Sequence, residues 1–267
     1  MPDRDQDNNN IDPRLFVGSA EKALRILQVF QEHRQPQSLT EITESTGLGR
    51  SATQRFIYTL KALGYLRQDK FTKRYTLSPK VLDFGFTYLR NDYLVEKAFP
   101  YLLEASKRTD ETVNLTELDD KEVIYVSRLP SRHLISVDIL LGQRLPVYCT
   151  APGRAILAGI RPDQASDILE RSNRQARTKF TITELAEIER KLEEVRHFGY
   201  ALSNQESFLG DISIAAAIRN HAGDVVAAIN IAVPHPRWSI EEAERDLAPV
   251  VIETAWAITK ALGGRKI

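Results

Sequence analysis

Between Arg50 and Arg74 the chain carries seven cations, Arg50, Arg55, Lys61, Arg67, Lys70, Lys73 and Arg74, against Asp69 alone. An excess of six positive charges, in a chain of zero formal net charge, is the footprint expected of a phosphate-binding surface. Arg50, Ser51, Thr53, Gln54, Arg55 and Tyr58 are spaced to share one side of a helix, opposite an apolar stripe of Ala52, Phe56, Leu60 and Leu63. That outward set is short on carboxylates and rich in donors that reach phosphates and base edges. With Ser38 from the preceding helix start, and Arg67, Lys70, Lys73 and Arg74 from a basic hairpin, it forms the candidate DNA-contacting set.

A second group lies far along the chain. Thr150-Ala151-Pro152-Gly153-Arg154 reads as an extended segment turning into a helix, with Thr150 at the N-cap. A helix N-terminus with a small residue such as Gly153 offers amides and partial positive charge to a carboxylate. Arg144 either pairs that carboxylate or pins the loop, and Tyr148 and Phe208 either face an aromatic ring or fill core. Several charge-assisted bonds of roughly 1.5–3 kcal/mol each suffice for millimolar to micromolar affinity, which suits a metabolite sensor. The other reading of Thr150 is a plain structural cap. Cys149 reads as a small packed residue.

The elements that must hold these residues are legible from caps and breakers. Ser38-Leu39-Thr40-Glu41 is a capping box, and the glycines of Thr46-Gly47-Leu48-Gly49 supply a tight interhelical corner. Gly64 ends the second helix, and two alternating segments, 65–68 and 74–77, form a hairpin around a cationic tip: a winged helix-turn-helix. Ser19 is expected to cap an earlier helix with a stripe of Ala20, Leu24, Leu27 and either Phe30 or Gln31, Ile26 lying beside it. Ser78-Pro79 opens a further helix that is apolar nearly all round and so is expected to pack against a second subunit. Beyond Asn91 the pattern mixes helices with strand hairpins. Strands are expected over 112–118, 122–129, 133–140, 211–219 and 225–233. Capping boxes at Thr181/Glu184 and Ser239/Glu242 open two helices, and Gly263-Gly264 stops the last. The fold class is α+β with a largely antiparallel sheet. The organisation is a disordered tail over 1–16, a DNA-binding domain over 17–77, a linker helix over 78–92 and an effector-binding domain over 93–267.

Bulk properties narrow the class further. A chain of 267 residues, 42% hydrophobic and 27% charged, has the composition of a globular protein. No apolar run is long enough to span a bilayer, and a lone cysteine suits a reducing cytoplasm, the expected location. The five histidines lack ligand spacing, and no nucleotide-binding loop or nucleophile elbow appears, so neither metal, cofactor nor enzyme activity is expected.

Residues 19–27, Leu39-Thr40-Glu41-Ile42 and the 50–66 helix resemble the IclR family of bacterial transcription regulators. Gly142–Ala158 resembles that family's effector-loop signature, and Ser213-Ile214-Ala215-Ala216 followed by Val225–Asn230 is similar to it too. The resemblance implies a GAF/PAS-like effector domain in which Ser203, Ser213 and Asn230 line the ligand cavity beside Thr150. It also implies a dimer, or a dimer of dimers, that binds a double-stranded DNA operator and responds to a small organic acid. Within the family, Arg144–Thr150 and the Ile135-Ser136-Val137 strand look most like regulators of aromatic-acid catabolism (protocatechuate, 4-hydroxybenzoate and β-ketoadipate operons). Those often act as activators, for which RNA polymerase is a further partner. The alternative is a ligand-binding architectural or protein-interaction module without sequence-specific DNA binding.

Overall fold

The computed structural model describes residues 12–33, 35–133 and 139–265. Residues 1–11 of the expected tail and 134–138 of the expected strand over 133–140 lie outside these. Residues 12–16 form a turn, with Leu15 N–H donating to Asp12 O at 3.0 Å and Arg14 paired to the Asp12 carboxylate. The chain divides into two compact units, Met1–Tyr88 and Leu89–Ile267.

The first unit packs α1 (Gly18–Glu32), α2 (Leu39–Thr46) and α3 (Arg50–Ala62) around Ile26, Val29, Ile42, Ile57 and Leu60. Ser38 and Glu41 form the expected capping box on α2, and Gly47 turns left-handed (φ 65°) to start the corner into α3. Two stripes differ from expectation. Helix α1 is capped by Val17 without a side-chain bond, not by Ser19, and it buries Ile26 and Val29 while Leu24 is 60% exposed. On α3 the buried line is Thr53, Ile57 and Leu60; Leu63 lies just past the helix and is exposed. The wing is β1 (Leu66–Gln68) against β2 (Tyr75–Leu77), and a backbone bridge from Gln37 to Tyr75 ties it to the start of α2. Ser78 caps a 3-10 turn over Pro79–Val81, and α4 (Leu82–Asn91) follows, with Leu82, Phe84 and Phe86 about two-thirds exposed.

The second unit is built on a six-stranded sheet in the order β5-β4-β3-β8-β7-β6, antiparallel at every described pairing. The strands are β3 (Thr112–Asp119), β4 (Glu122–Leu129), β5 (Arg144–Pro146), β6 (Ala201–Asn204), β7 (Asp211–Arg219) and β8 (Val225–Pro234). Side chains alternate faces along a strand. Val113, Leu115, Ile212, Ile214, Ile229 and Ile231 therefore meet α5 (Tyr93–Thr109) and α9 (Ile240–Ala261) on one side. On the other side, the partners of Ala215 and Ala228 are α6 (Ala151–Gly159) and, behind it, α7 (Pro162–Arg171) and α8 (Leu185–Phe198). The same alternation sends Asn114, Asp211, Ser213 and Asn230 toward the α6 side. Helix α8 starts after Glu184 with no side-chain cap; Thr181, expected to cap it, instead donates its hydroxyl to Glu206 O at 2.6 Å.

Helix α6 is pinned by one buried charge pair. Arg154, 1% exposed, meets Glu206 through two parallel hydrogen bonds of 2.5 and 2.6 Å, and its Nε donates to Tyr148 O at 2.9 Å. Glu206 also accepts the Ile182 amide. All three guanidinium nitrogens and both carboxylate oxygens thus have a partner, the condition under which a buried pair is tolerated. Removing one partner leaves a bare charge in the core. Glu206→Ala should destabilise the second unit by about 3–5 kcal/mol in urea denaturation, and Glu206→Gln by less.

Candidate functional site

On the first unit, Arg50, Ser51, Gln54, Arg55 and Tyr58 stand exposed along α3, Tyr58 at 73%. Thr53 does not join them: it is fully buried, and its hydroxyl donates to Gly49 O at 3.2 Å, satisfying a carbonyl at the helix start. Arg67, Lys70 and Lys73 are exposed on the wing. Its tip is fixed by Asp69, whose carboxylate accepts the Phe71 and Thr72 amides and the Thr72 hydroxyl; these bonds hold that carboxyl below its usual range. Arg74 is spent differently. Its guanidinium holds Glu41 at 2.8 and 3.1 Å and donates to Pro36 O, locking wing to α2 rather than reaching outward. The Ser38 backbone N–H, then Arg74, bring the Glu41 carboxyl down to about 2. Ser38 is half-buried, its oxygen engaged as the cap. Lys61 donates to Gln68 on the wing. Arg50, though exposed, donates to Thr40 Oγ1 on α2 at 3.3 Å; Arg55, Arg67, Lys70 and Lys73 stand exposed beside it.

On the second unit, Thr150, Ala151, Pro152, Ser203, Ser213 and Asn230 line one cavity. Tyr125, Ser207, Phe208 and Asp211 join them. The enclosed space is about 10 Å³, about enough for one water. Thr150 caps α6 by accepting the Gly153 amide at 3.2 Å, and Pro152 has no N–H, so Ala151 is left as the first-turn amide still to be used. Ser203 and Ser207 both donate to Cys149 O, tying the β6 side to the segment before α6.

Four expected effector contacts lie elsewhere. Arg144 sits on edge strand β5, bound to Asp119 and 3.7 Å from Glu122, and does not line this cavity. Tyr148 is core: its hydroxyl donates to Gln175 O and accepts the Gln175 amide. Arg154 is consumed by Glu206. Gly153 serves close packing, because a Cβ there would come within 2.4 Å of Val147 O. Burial raises the Cys149 thiol, the opposite of what a reactive cysteine needs.

Asp211 went unanticipated although parity pointed to it: it lies two residues before Ser213 and so shares its face. Burial pushes its carboxyl up to about 7, against a weaker pull from Arg128, and its Oδ1 has no hydrogen-bond partner. Burial likewise raises the Tyr125 hydroxyl.

Residues 19–70 match the IclR helix-turn-helix domain, and residues 86–260 match the family described as bacterial transcriptional regulator IclR, C-terminal. The chain belongs to the IclR family. The Pca regulon regulatory protein of Pseudomonas putida is 33% identical over 93% of this chain and 85% of its own. The p-hydroxybenzoate hydroxylase transcriptional activator of Acinetobacter baylyi is 32% identical over 80% of each. A crystal structure of a Rhodococcus transcriptional regulator superposes with a TM-score of 0.79 at 35% identity, covering 92% of this chain and 98% of that one. This IclR-family protein is thus a DNA-binding transcription regulator with a C-terminal effector domain, not an enzyme. Among its described residues, no helix is long and apolar enough to cross a membrane.

The Asp211 carboxyl gives this IclR-family effector domain a pH signature. Between about pH 4 and 7 the native state holds a proton that the unfolded chain, titrating near 3.8, has released. Stability therefore falls as pH rises through that window and stays low above it. Asp211→Asn should match the parent near pH 4 and exceed it at pH 8 by up to roughly 4 kcal/mol, measured by denaturant titration across pH.

Proposed function

We propose that two copies of this regulator, paired through α4, present their α3 helices to successive major grooves of an operator while the wings hold the flanking phosphates. Base contacts fall to Arg50, Ser51, Gln54, Arg55 and Tyr58, and phosphate contacts to Arg67, Lys70 and Lys73. The carrying observation is the sorting of charges on the first unit: Arg74 is bound to Glu41 and Lys61 to Gln68, while Arg55, Arg67, Lys70 and Lys73 face solvent around a tip held rigid by Asp69. The apolar, exposed Leu82 and Phe84 of α4 support pairing of the chains.

The effector is a small carboxylic acid, aromatic in the reading supported by the relatives' names, and the regulated genes serve its catabolism. An activator role would add RNA polymerase as a partner. The acid's carboxylate meets the Ala151 amide at the positive end of α6. A cavity of about 10 Å³ admits such a molecule only when its walls part. Ligand binding then favours an opened arrangement of the α6 side over the closed one, and a tenfold preference shifts that equilibrium by about 1.4 kcal/mol.

Two measurements test this reading. Arg55→Ala and Lys70→Ala should each weaken binding to a duplex taken from upstream of the protein's own gene. Lys70→Ala should also reduce the log–log salt slope by about one. Unaltered affinity and slope in both variants would remove the assignment of this face. In thermal-shift titration of the full chain, an acid effector present at 100 times its Kd should stabilise by about 2.7 kcal/mol. A panel of aromatic and aliphatic acids that leaves the transition unmoved would remove the acid.

A further inference from the structure

Among the described residues, no large apolar side chain is more exposed than Phe71, at 93%. It stands at the tip of the wing, in the loop over 69–74 that joins β1 to β2. Single exposed apolar residues are common on protein surfaces. What sets this one apart is how firmly the loop beneath it is held.

The Asp69 amide donates to Arg74 O at 2.9 Å, and the Lys73 amide returns to Asp69 O at 3.1 Å, with Lys73 in the left-handed region (φ 58°). The Asp69 carboxylate accepts the Phe71 and Thr72 amides at 3.0 and 2.7 Å, and Gln68 Nε2 donates to Lys73 O at 3.1 Å. The backbone around Phe71 is thus tied on both sides while its phenyl ring is left uncovered. A side chain presented on an ordered loop has already lost the backbone freedom that docking would otherwise cost.

The neighbours of Phe71 say what it docks on. Lys70 and Lys73 flank it in the loop and Arg67 precedes it on β1, all three exposed. The one carboxylate over 65–77, Asp69, is occupied by the loop's own donors. An apolar ring set among cations matches a surface that is anionic at its rim and apolar within. Duplex DNA offers both, phosphates along a groove and the faces of stacked bases inside it. With α3 in the major groove, the wing is left the minor groove beside it. That groove, about 6 Å wide, admits single side chains from a hairpin tip but not a helix. Where it narrows, its negative potential draws in lysine and arginine. Apolar side chains inserted there wedge between base pairs and partly unstack them.

We propose that Phe71 is a minor-groove wedge, entering a base step that flanks each α3 contact and so favouring flexible flanking sequence. This rests on the DNA-contact reading above and adds a contact that reads deformability rather than base edges. Pyrimidine–purine steps, TA and CA/TG, unstack most readily, so the preference falls on them.

Each of these steps contains a thymine, and permanganate oxidises thymines whose faces are unstacked. The test is permanganate footprinting, with gel-shift titration across salt, of the full chain on the duplex it protects upstream of its own gene. The parent should raise thymine reactivity at least threefold at a flanking step on each side of the site. Phe71→Ala removes neither charge nor packing, so it should melt as the parent does. It should lose the reactivity and bind about tenfold more weakly, with the log–log salt slope unchanged, unlike Lys70→Ala. Phe71→Leu keeps an apolar wedge and should retain most of the reactivity and bind within about threefold of the parent. Flanks that stay unreactive under the bound parent, or reactivity that survives Phe71→Ala, overturn the wedge and leave the α3 and phosphate contacts standing. A Phe71→Ala variant that binds as tightly as the parent yet fails to regulate a reporter also overturns it, and assigns the ring to a protein partner. A parent that binds no duplex overturns the wedge and the reading beneath it together.

Discussion

The buried pairing of Arg154 with Glu206 is the contact on which the effector half depends. It joins the first turn of α6 to the loop between β6 and β7, positions 52 residues apart in the chain. Both partners are almost wholly removed from water, so neither can be released without exposing its charge or stranding the other. Arg154 also grips the Tyr148 carbonyl, and Glu206 the Ile182 amide, so four segments converge on one guanidinium–carboxylate pair. The cavity lies beside that junction. Its helix wall and its loop wall are held in register by a link that is not itself exposed to a ligand.

The sheet does the remaining positioning through parity alone. A two-residue period places isoleucines of β7 and β8 against α5 and α9, and the residues between them on the α6 side. The side facing α6 therefore gathers Asn114, Asp211, Ser213 and Asn230 without any local strain being required of the strands. A one-residue slip of β7 would bury its polar set among the isoleucines, so register and ligand chemistry are specified together.

The features that were readable from sequence are local ones. The Ser38–Glu41 box, the Gly47 corner, the Thr150 cap and the hairpin turns each depend on residues three or four apart, and each appears where expected. The errors have common physical causes. Thr53 looked outward because it is polar, yet a threonine can return its hydroxyl to the carbonyl four residues back and be buried at little cost. Arg74, Arg144 and Arg154 looked available because a cation's partner cannot be seen when it lies 25 to 52 positions away. Asp211 shares the Ser213 face by parity, but its burial depends on packing by segments distant in the chain, which no local pattern reveals.

Cys149 is the chain's one cysteine, and it sits fully buried where its carbonyl is held by Ser203 and Ser207. An alkylating reagent can reach that sulfur only when the segment ahead of α6 separates from the β6 side. The thiol is thus a native, single-site clock for breathing of the ligand chamber: its modification rate counts openings, with no label to introduce and no second thiol to confuse the signal.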